Sequence, residues 1–312
     1  MVYTHLPVLL TEALANLQLQ RGKIYVDGTL GGAGHAREIA RRILPGGVLI
    51  AIDRDPAAIA QGQTLHAEFK SGIHLFQGSF ARLPHFLDQL HLSAVDGILL
   101  DLGISRHQLL ESGRGFSFNL DEPLDMRMDP DLEPSAAQLV NRLSFHELRG
   151  ILRAYGEEHQ AGKVAKAIVA ARESAPITTS GQLTAVVVEA LGARPARGKR
   201  IHPATKTFMA LRIAVNRELE TLSEVMGQVD SWLNPGGRLC VIAFHSLEDR
   251  IVKHGIRNLA QGCRCPKDLP QCGCGLKPRL RVVAKKAIRP SAAEISANPL
   301  ARSSRLRVAE KI

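Results

Sequence analysis

Four apolar runs in the first third of the chain close on or beside an acid or a hydroxyl, with stretches of helical spacing between them. They are Ile24 to Asp27 (IYVD), Val48 to Asp53 (VLIAID), Ile73 to Phe80 (IHLFQGSF) and Val95 to Gly103 (VDGILLDLG). Runs that stay apolar through their middle, rather than alternating, are the signature of strands covered on both faces. Thr11 to Leu19 and His35 to Ile43 read as helices, the second stopped by Pro45-Gly46-Gly47. Asp55-Pro56 is an N-cap acid with proline at the first helical position. Strands alternating with helices predict an α/β fold on a doubly wound, mostly parallel sheet.

The alternation breaks after the fourth strand. From Leu109 to Lys206 the pattern predicts helices over Ala136 to Leu143, Phe145 to Tyr155, Gly162 to Arg172 and Thr179 to Leu191, and no strand. The segments GRGFSF from Gly113 and PLDMRMDP from Pro123 are too rich in Gly, Pro and charge for regular structure. Phe116, Phe118 and Met126 nevertheless give them apolar anchors, which predicts an ordered loop near the site. A helix over Leu222 to Leu233 stops at Asn234-Pro235-Gly236-Gly237. A fifth strand follows over Arg238 to Ser246, then a helix starting at LEDRIVKH, and two last strands at Val282 to Ala287 and Leu306 to Ala309. The expected organisation is a sheet domain from residues 1–108 and 207–312, with an inserted helical subdomain at 109–206 that serves substrate recognition.

Composition adds a partner class. The 312 residues carry a formal net charge of +10, which favours polyanions. The stretch ARPARGKRIHPATK holds Arg194, Arg197, Lys199, Arg200 and Lys206 with no acid, and basic residues return at Lys277, Arg279, Arg281, Lys285, Lys286 and Arg289. No segment approaches the apolar length of a membrane span, and the first residues lack a basic leader, so a cytoplasmic protein is expected.

In such a sheet, ligands sit outside the carboxyl ends of the strands. Asp27, Asp53, Ser79-Phe80 and Asp101 all fall on that rim. The turn Asp27 to His35 (DGTLGGAGH) lets main chain approach a ligand, and Asp53 stands where a second strand places a carboxylate beside a ribose. A dinucleotide fingerprint wants a third glycine where this chain has Arg37, and no P-loop lysine follows. S-adenosylmethionine, with a sulfonium and an amine, would profit from Asp27; a tight turn holding no ligand also stays open. His245, at the end of the fifth strand, is either a satisfied structural histidine or a polar group of the site. Cys263, Cys265, Cys272 and Cys274 form two C-x-C pairs that suggest a structural zinc, while Cys240 lies in a strand and reads as core.

Taken together, HLPVLL from His5, DGTLGGAGH, AIDRDP, LLDLGIS, GRGFSF, PLDMRMDP, HPATKTF, FHSLEDR and NPLARSSRLRVAE closely resemble the RsmH (MraW) family of 16S ribosomal RNA cytosine-N4 methyltransferases. The resemblance runs nearly end to end. It implies a class I (Rossmann-like) methyltransferase that uses S-adenosylmethionine to methylate N4 of a specific cytidine in the decoding centre (P site) of 16S rRNA within the small ribosomal subunit, with homodimerisation left open. Carried onto matching positions, the cofactor contacts are Ala33, Gly34, His35, Asp53, Phe80, Asp101 and Gln108. Many amino-methyltransferases follow the fourth strand with [DN]-P-P-[YF]; this chain has Asp101-Leu102-Gly103-Ile104-Ser105. The acceptor clamp is therefore expected from Asp101 together with His245, Ser246 or the GRGFSF loop. A methyltransferase for DNA or a small molecule, and a non-catalytic RNA-binding assembly factor, are the competing readings.

Overall fold

The computed structural model describes residues 7–192, 201–263, 265 and 273–312. Contacts divide it into two compact units, Met1–Gly103 with Leu219–Ile312, and Ile104–Glu218. The first holds α1 (Leu10–Leu17), β1 (Ile24–Asp27), α2 (Gly34–Ile43), β2 (Val48–Asp53), α3 (Pro56–Phe69), β3 (Ile73–Gln77), α4 (Leu83–Gln89) and β4 (Val95–Asp101). The second contributes α5 (Arg106–Leu110), α6 (Ala136–Arg142), α7 (Phe145–Ala154), α8 (Ala161–Ser174), α9 (Ser180–Leu191) and α10 (Thr205–Asn216). After α11 (Glu218–Gln228) come β5 (Leu233–Ala243), α12 (Ser246–Ala260), β6 (Leu280–Val282), α13 (Ala292–Ala297) and β7 (Arg305–Lys311).

Seven strands form one sheet in the order β3-β2-β1-β4-β5-β7-β6. β1 to β5 are mutually parallel, and β7 runs against both β5 and β6. This order, with a reversed seventh strand, is the class I methyltransferase arrangement expected above. The apolar runs are continuous because alternate residues feed two different cores. Val26, Ile50, Ile98, Leu100, Leu239 and Val241 pack on one face against Leu83, Phe86, Trp232 and Val252. Tyr25, Leu49, Leu99, Cys240 and Ile242 pack on the other against Leu14, Leu17, Ile39 and Leu65. Such two-sided burial is what parallel strands require. No helix among the described residues is long and apolar enough to cross a membrane.

The helical unit has a core of its own, in which Phe116 and Met126 of the irregular loop join Leu139, Leu148, Val164, Ile168, Leu183, Phe208 and Leu211. Its helices start where sequence chemistry says they should. Ser135 with Gln138, Ser144 with Glu147, and Thr179 with Gln182 form reciprocal capping boxes at the heads of α6, α7 and α9. Residues 207–218 pack with this unit because α10 buries Phe208, Leu211 and Val215 there.

Several element boundaries differ from the sequence expectation. β3 ends at Gln77, and Phe80 opens a 3-10 turn capped by Ser79. The helix expected to reach Leu233 stops at Gln228; Leu233 already pairs with Val95, so Asn234-Pro235-Gly236-Gly237 is an irregularity within β5. The strand expected over Val282 to Ala287 is instead the three-residue β6, since a continuous ladder with β7 runs only over Leu280 to Val282; beyond it the Val283 N–H reaches Val308 O at 3.1 Å and Ile288 forms an isolated bridge with Leu306.

Candidate functional site

The carboxyl ends of β1, β2 and β4 lie side by side, and the turn after β1 is tied to both neighbours. Toward β4, the Gly28 N–H donates to Leu99 O at 2.9 Å, and the Asp101 N–H donates to Thr29 Oγ1 at 2.6 Å. Toward β2, the Leu30 N–H donates to Ile52 O at 3.0 Å, and the Gly31 N–H to Asp53 Oδ2 at 2.8 Å. Asp53 Oδ1 accepts the Asp55 N–H at 2.9 Å. Small residues fit the packed side of the turn. A Cβ on Gly28 would lie 2.5 Å from Leu100 Cδ2, and one on Gly34 would lie 2.3 Å from Pro7 Cγ. Ala33, in the left-handed region at φ 60°, is completely buried and leads straight into α2.

Three acids share this rim. Asp27 is 1% exposed; its Oδ1 accepts the Thr29 N–H at 3.1 Å. Burial, only partly offset by that bond, pushes Asp27 up to about 7. Burial likewise pushes Asp53 up to about 6 against its two N–H donors. Asp101 is held well above the carboxylate range by burial, then by the negative charges of Asp27 and Glu248. His35, buried in the first turn of α2, sets Nε2 3.1 Å from Val8 O, so that nitrogen carries the proton. Its Nδ1 lies 3.6 Å from Asp101 Oδ2, beyond a hydrogen bond but within reach of its charge.

The model of the MraW methylase family matches residues 2–312. The chain belongs to the MraW methylase family. It is 50% identical, over the whole length of both chains, to ribosomal RNA small subunit methyltransferase H of Desulfosudis oleivorans, and 49% to the protein of that name from Desulforapulum autotrophicum, again over both whole lengths. A solved rRNA methylase from Streptococcus thermophilus aligns over 100% of this chain and 99% of that one, at 10% identity and a TM-score of 0.44.

As an MraW methylase of class I fold, the chain takes its methyl group from S-adenosylmethionine. The rim fits that ligand. Asp27 Oδ2 and Asp101 Oδ1 are buried without hydrogen-bond partners among the described residues, and a Cβ built on Gly32 meets nothing within 4 Å. The turn thus combines unfilled acceptor capacity, suited to an ammonium or sulfonium, with open space over bare main chain.

Of the seven positions implied by resemblance, Ala33, Gly34, His35, Asp53, Phe80 and Asp101 come together in the sheet unit, with the Phe80 Cβ 3.1 Å from a Cβ built on Gly28. Gln108 belongs to the helical unit. Its Oε1 accepts the Ser105 N–H at 3.0 Å and its N–H donates to Ser105 Oγ at 3.1 Å, capping α5. His245 is the N-cap of α12: its Nδ1 faces the Glu248 N–H at 3.4 Å, while Glu248 Oε2 accepts the Phe244 N–H at 2.8 Å. Its Nε2 lies 3.1 Å from Glu248 Oε1, yet off the axis a hydrogen bond needs. Cys240 is core, its thiol pushed up to about 12 by burial. Cys272, Arg194, Arg197, Lys199, Arg200 and His5 fall outside the described residues.

Sequence reasoning missed Thr29 and Glu248, whose parts in the rim appear only once strands are side by side. It also missed a basic groove of about 730 Å³ on this methylase's helical unit. Arg149 and Arg153 of α7 line it together with Lys163 and Lys166 of α8, and a Cβ on Gly162 would lie 3.9 Å from the Arg149 side chain. None of the four cations makes an ion pair among the described residues; Glu157 and Glu158 are the acids at its edge. The i,i+4 and i,i+3 spacings were the available signal.

Proposed function

We propose that this chain methylates the N4 amine of a specific cytidine in the decoding centre of 16S rRNA, within the small ribosomal subunit. What carries the reading is full-length similarity, at 50% identity, to proteins named for methylating small-subunit ribosomal RNA. Bound S-adenosylmethionine supplies an electrophilic methyl group; the rest falls to the protein.

Main chain at Ala33, Gly34 and His35 lines the methionine part. Asp53, each of whose oxygens keeps a lone pair after accepting one N–H, takes the ribose hydroxyls, and Phe80 covers the adenine. Asp27 and Asp101 offer their unpartnered oxygens to positive charge. A cytosine amine is a poor nucleophile because its lone pair is delocalised into the ring, so the enzyme must align it and accept an amine hydrogen as the nitrogen becomes tetrahedral. Asp101 is assigned that acceptor role, since a carboxylate whose affinity for protons is raised is the better base once ionised. His245 acts as a positioning residue, holding Glu248, whose charge bears on Asp101.

The groove of Arg149, Arg153, Lys163 and Lys166 supports contact with RNA phosphates, and the target cytidine is taken to be extruded from its fold. The deciding experiment weighs 16S rRNA nucleosides from cells that lack the protein and from the same cells supplied with wild type or Asp101→Asn. N4-methylcytidine should be restored by the wild type alone. Unchanged N4-methylcytidine in the deletion strain would refute the assignment.

A further inference from the structure

We propose that Cys263, Cys265 and Cys274 bind a zinc ion that clamps the loop between α12 and β6. Their Sγ atoms all lie within 4.8 Å of one another, a spacing compatible with three thiolates around one tetrahedral metal at Zn–S distances of about 2.3 Å. Cys263 Sγ also accepts the Cys265 N–H at 3.4 Å, a bond that favours the thiolate form. Cys263 and Cys265 come from the arm leaving α12, and Cys274 from the arm returning to β6.

The neck of this loop is held by protein alone: the Arg279 N–H donates to Leu259 O at 2.8 Å, and a Cβ on Gly262 would lie 3.0 Å from Pro278 Cδ. Beyond the neck, the described residues are little buried. Gln261, Cys263 and residues 273–279 are exposed, and Gly262 and Cys265 are only partly covered. Described residues with so little burial contribute little against the entropy of ordering their backbone, and proteins meet that need with a metal or a disulfide. Three sulfurs converging on one point suit a metal, which takes several ligands where a disulfide joins only two. An all-sulfur donor set selects zinc over magnesium or calcium. Binding displaces the thiol protons to solvent, and no atom changes oxidation state. The sequence supplies another thiol at Cys272, outside the described residues; the site stands on the other three.

The test uses the full chain, purified under reducing conditions without chelator. Elemental analysis should find about one zinc per chain, and the metal-stripped protein should take up Co²⁺ with the sulfur-to-metal charge-transfer absorption of a thiolate site, displaced by Zn²⁺. Cys263→Ser and Cys274→Ser should each lose the bound zinc while keeping the far-ultraviolet circular dichroism of wild type, and Cys240→Ala should keep the metal. Should the serine variants fail to fold, the cobalt spectrum of the wild type decides alone. Less than about a tenth of an equivalent of zinc after reconstitution, together with no charge-transfer band, would overturn the site. So would a disulfide joining two of these cysteines in the freshly isolated protein, or full zinc retention by both serine variants.

Discussion

Asp27→Asn should make the ligand-free protein more stable and the methyl donor bind more weakly. Asp27 is buried at the end of β1 with Oδ2 unpartnered, and its pKa is raised from 3.8 to about 7. A carboxyl raised on folding stabilises the native state fully below its unfolded value. That contribution is lost as pH climbs through the folded value, and the interval from 3.8 to about 7 is worth about 4 kcal/mol. Asparagine never ionises, keeps an Oδ1 for the Thr29 N–H, and is nearly the same size. Its advantage over wild type should therefore be larger by about 2 to 3 kcal/mol at pH 8 than at pH 5. Urea unfolding followed through Trp232, the single tryptophan and part of the sheet core, reads this unit directly. Calorimetry with S-adenosylmethionine at pH 8 should show affinity falling about 10- to 100-fold, the worth of one hydrogen bond to a charged group. Equal stability of the two proteins at both pH values would show that Asp27 carries no ionisation penalty. Undiminished donor affinity would remove it from the site.

Three further outcomes follow from the same geometry. Gly34→Ala places a methyl group 2.3 Å from the rigid Pro7 ring and should lower thermal stability by about 1 to 3 kcal/mol while weakening donor binding, as calorimetric melting and titration would show. His245→Ala removes the cap of α12 and should cost about 1 kcal/mol in urea unfolding, with donor affinity unchanged; a large loss of affinity would instead place the ring against the ligand. Replacing Arg149, Arg153 and Lys163 with glutamine should weaken binding to 16S rRNA fragments and flatten the log–log dependence on salt by about 2 to 3, measured by filter binding between low and moderate salt.

Much of the sheet could be read directly because β1, β2, β4 and β5 are covered on both faces, so their apolar runs are unbroken and their terminal acids conspicuous. β6 escaped because it is a three-residue edge strand with one buried side chain. The bend at Asn234 to Gly237 mimics a helix stop, since proline and glycine mark an irregular strand as readily as a turn. At the site, Asp53, Asp101 and the glycine turn were legible as strand ends. The repulsion of Asp101 by Asp27 and Glu248 was not, because it depends on three elements separated in sequence and neighbours in space. Arg149 and Lys163 likewise come to line one groove only after α7 and α8 pack.

β7 gives the sheet an unusual vulnerability. It sits inside the sheet, between β5 and β6, and Glu310 pairs with Arg238 at 2.8 Å. A chain cut before Arg305 by a premature stop codon or a protease would lose more than a margin. β6 would have nothing to pair with, and the backbone of Leu239 to Ala243 would be bared along an apolar edge, a template on which a second copy can add. Incomplete copies would then precipitate and be cleared, and no partly active fragment would linger.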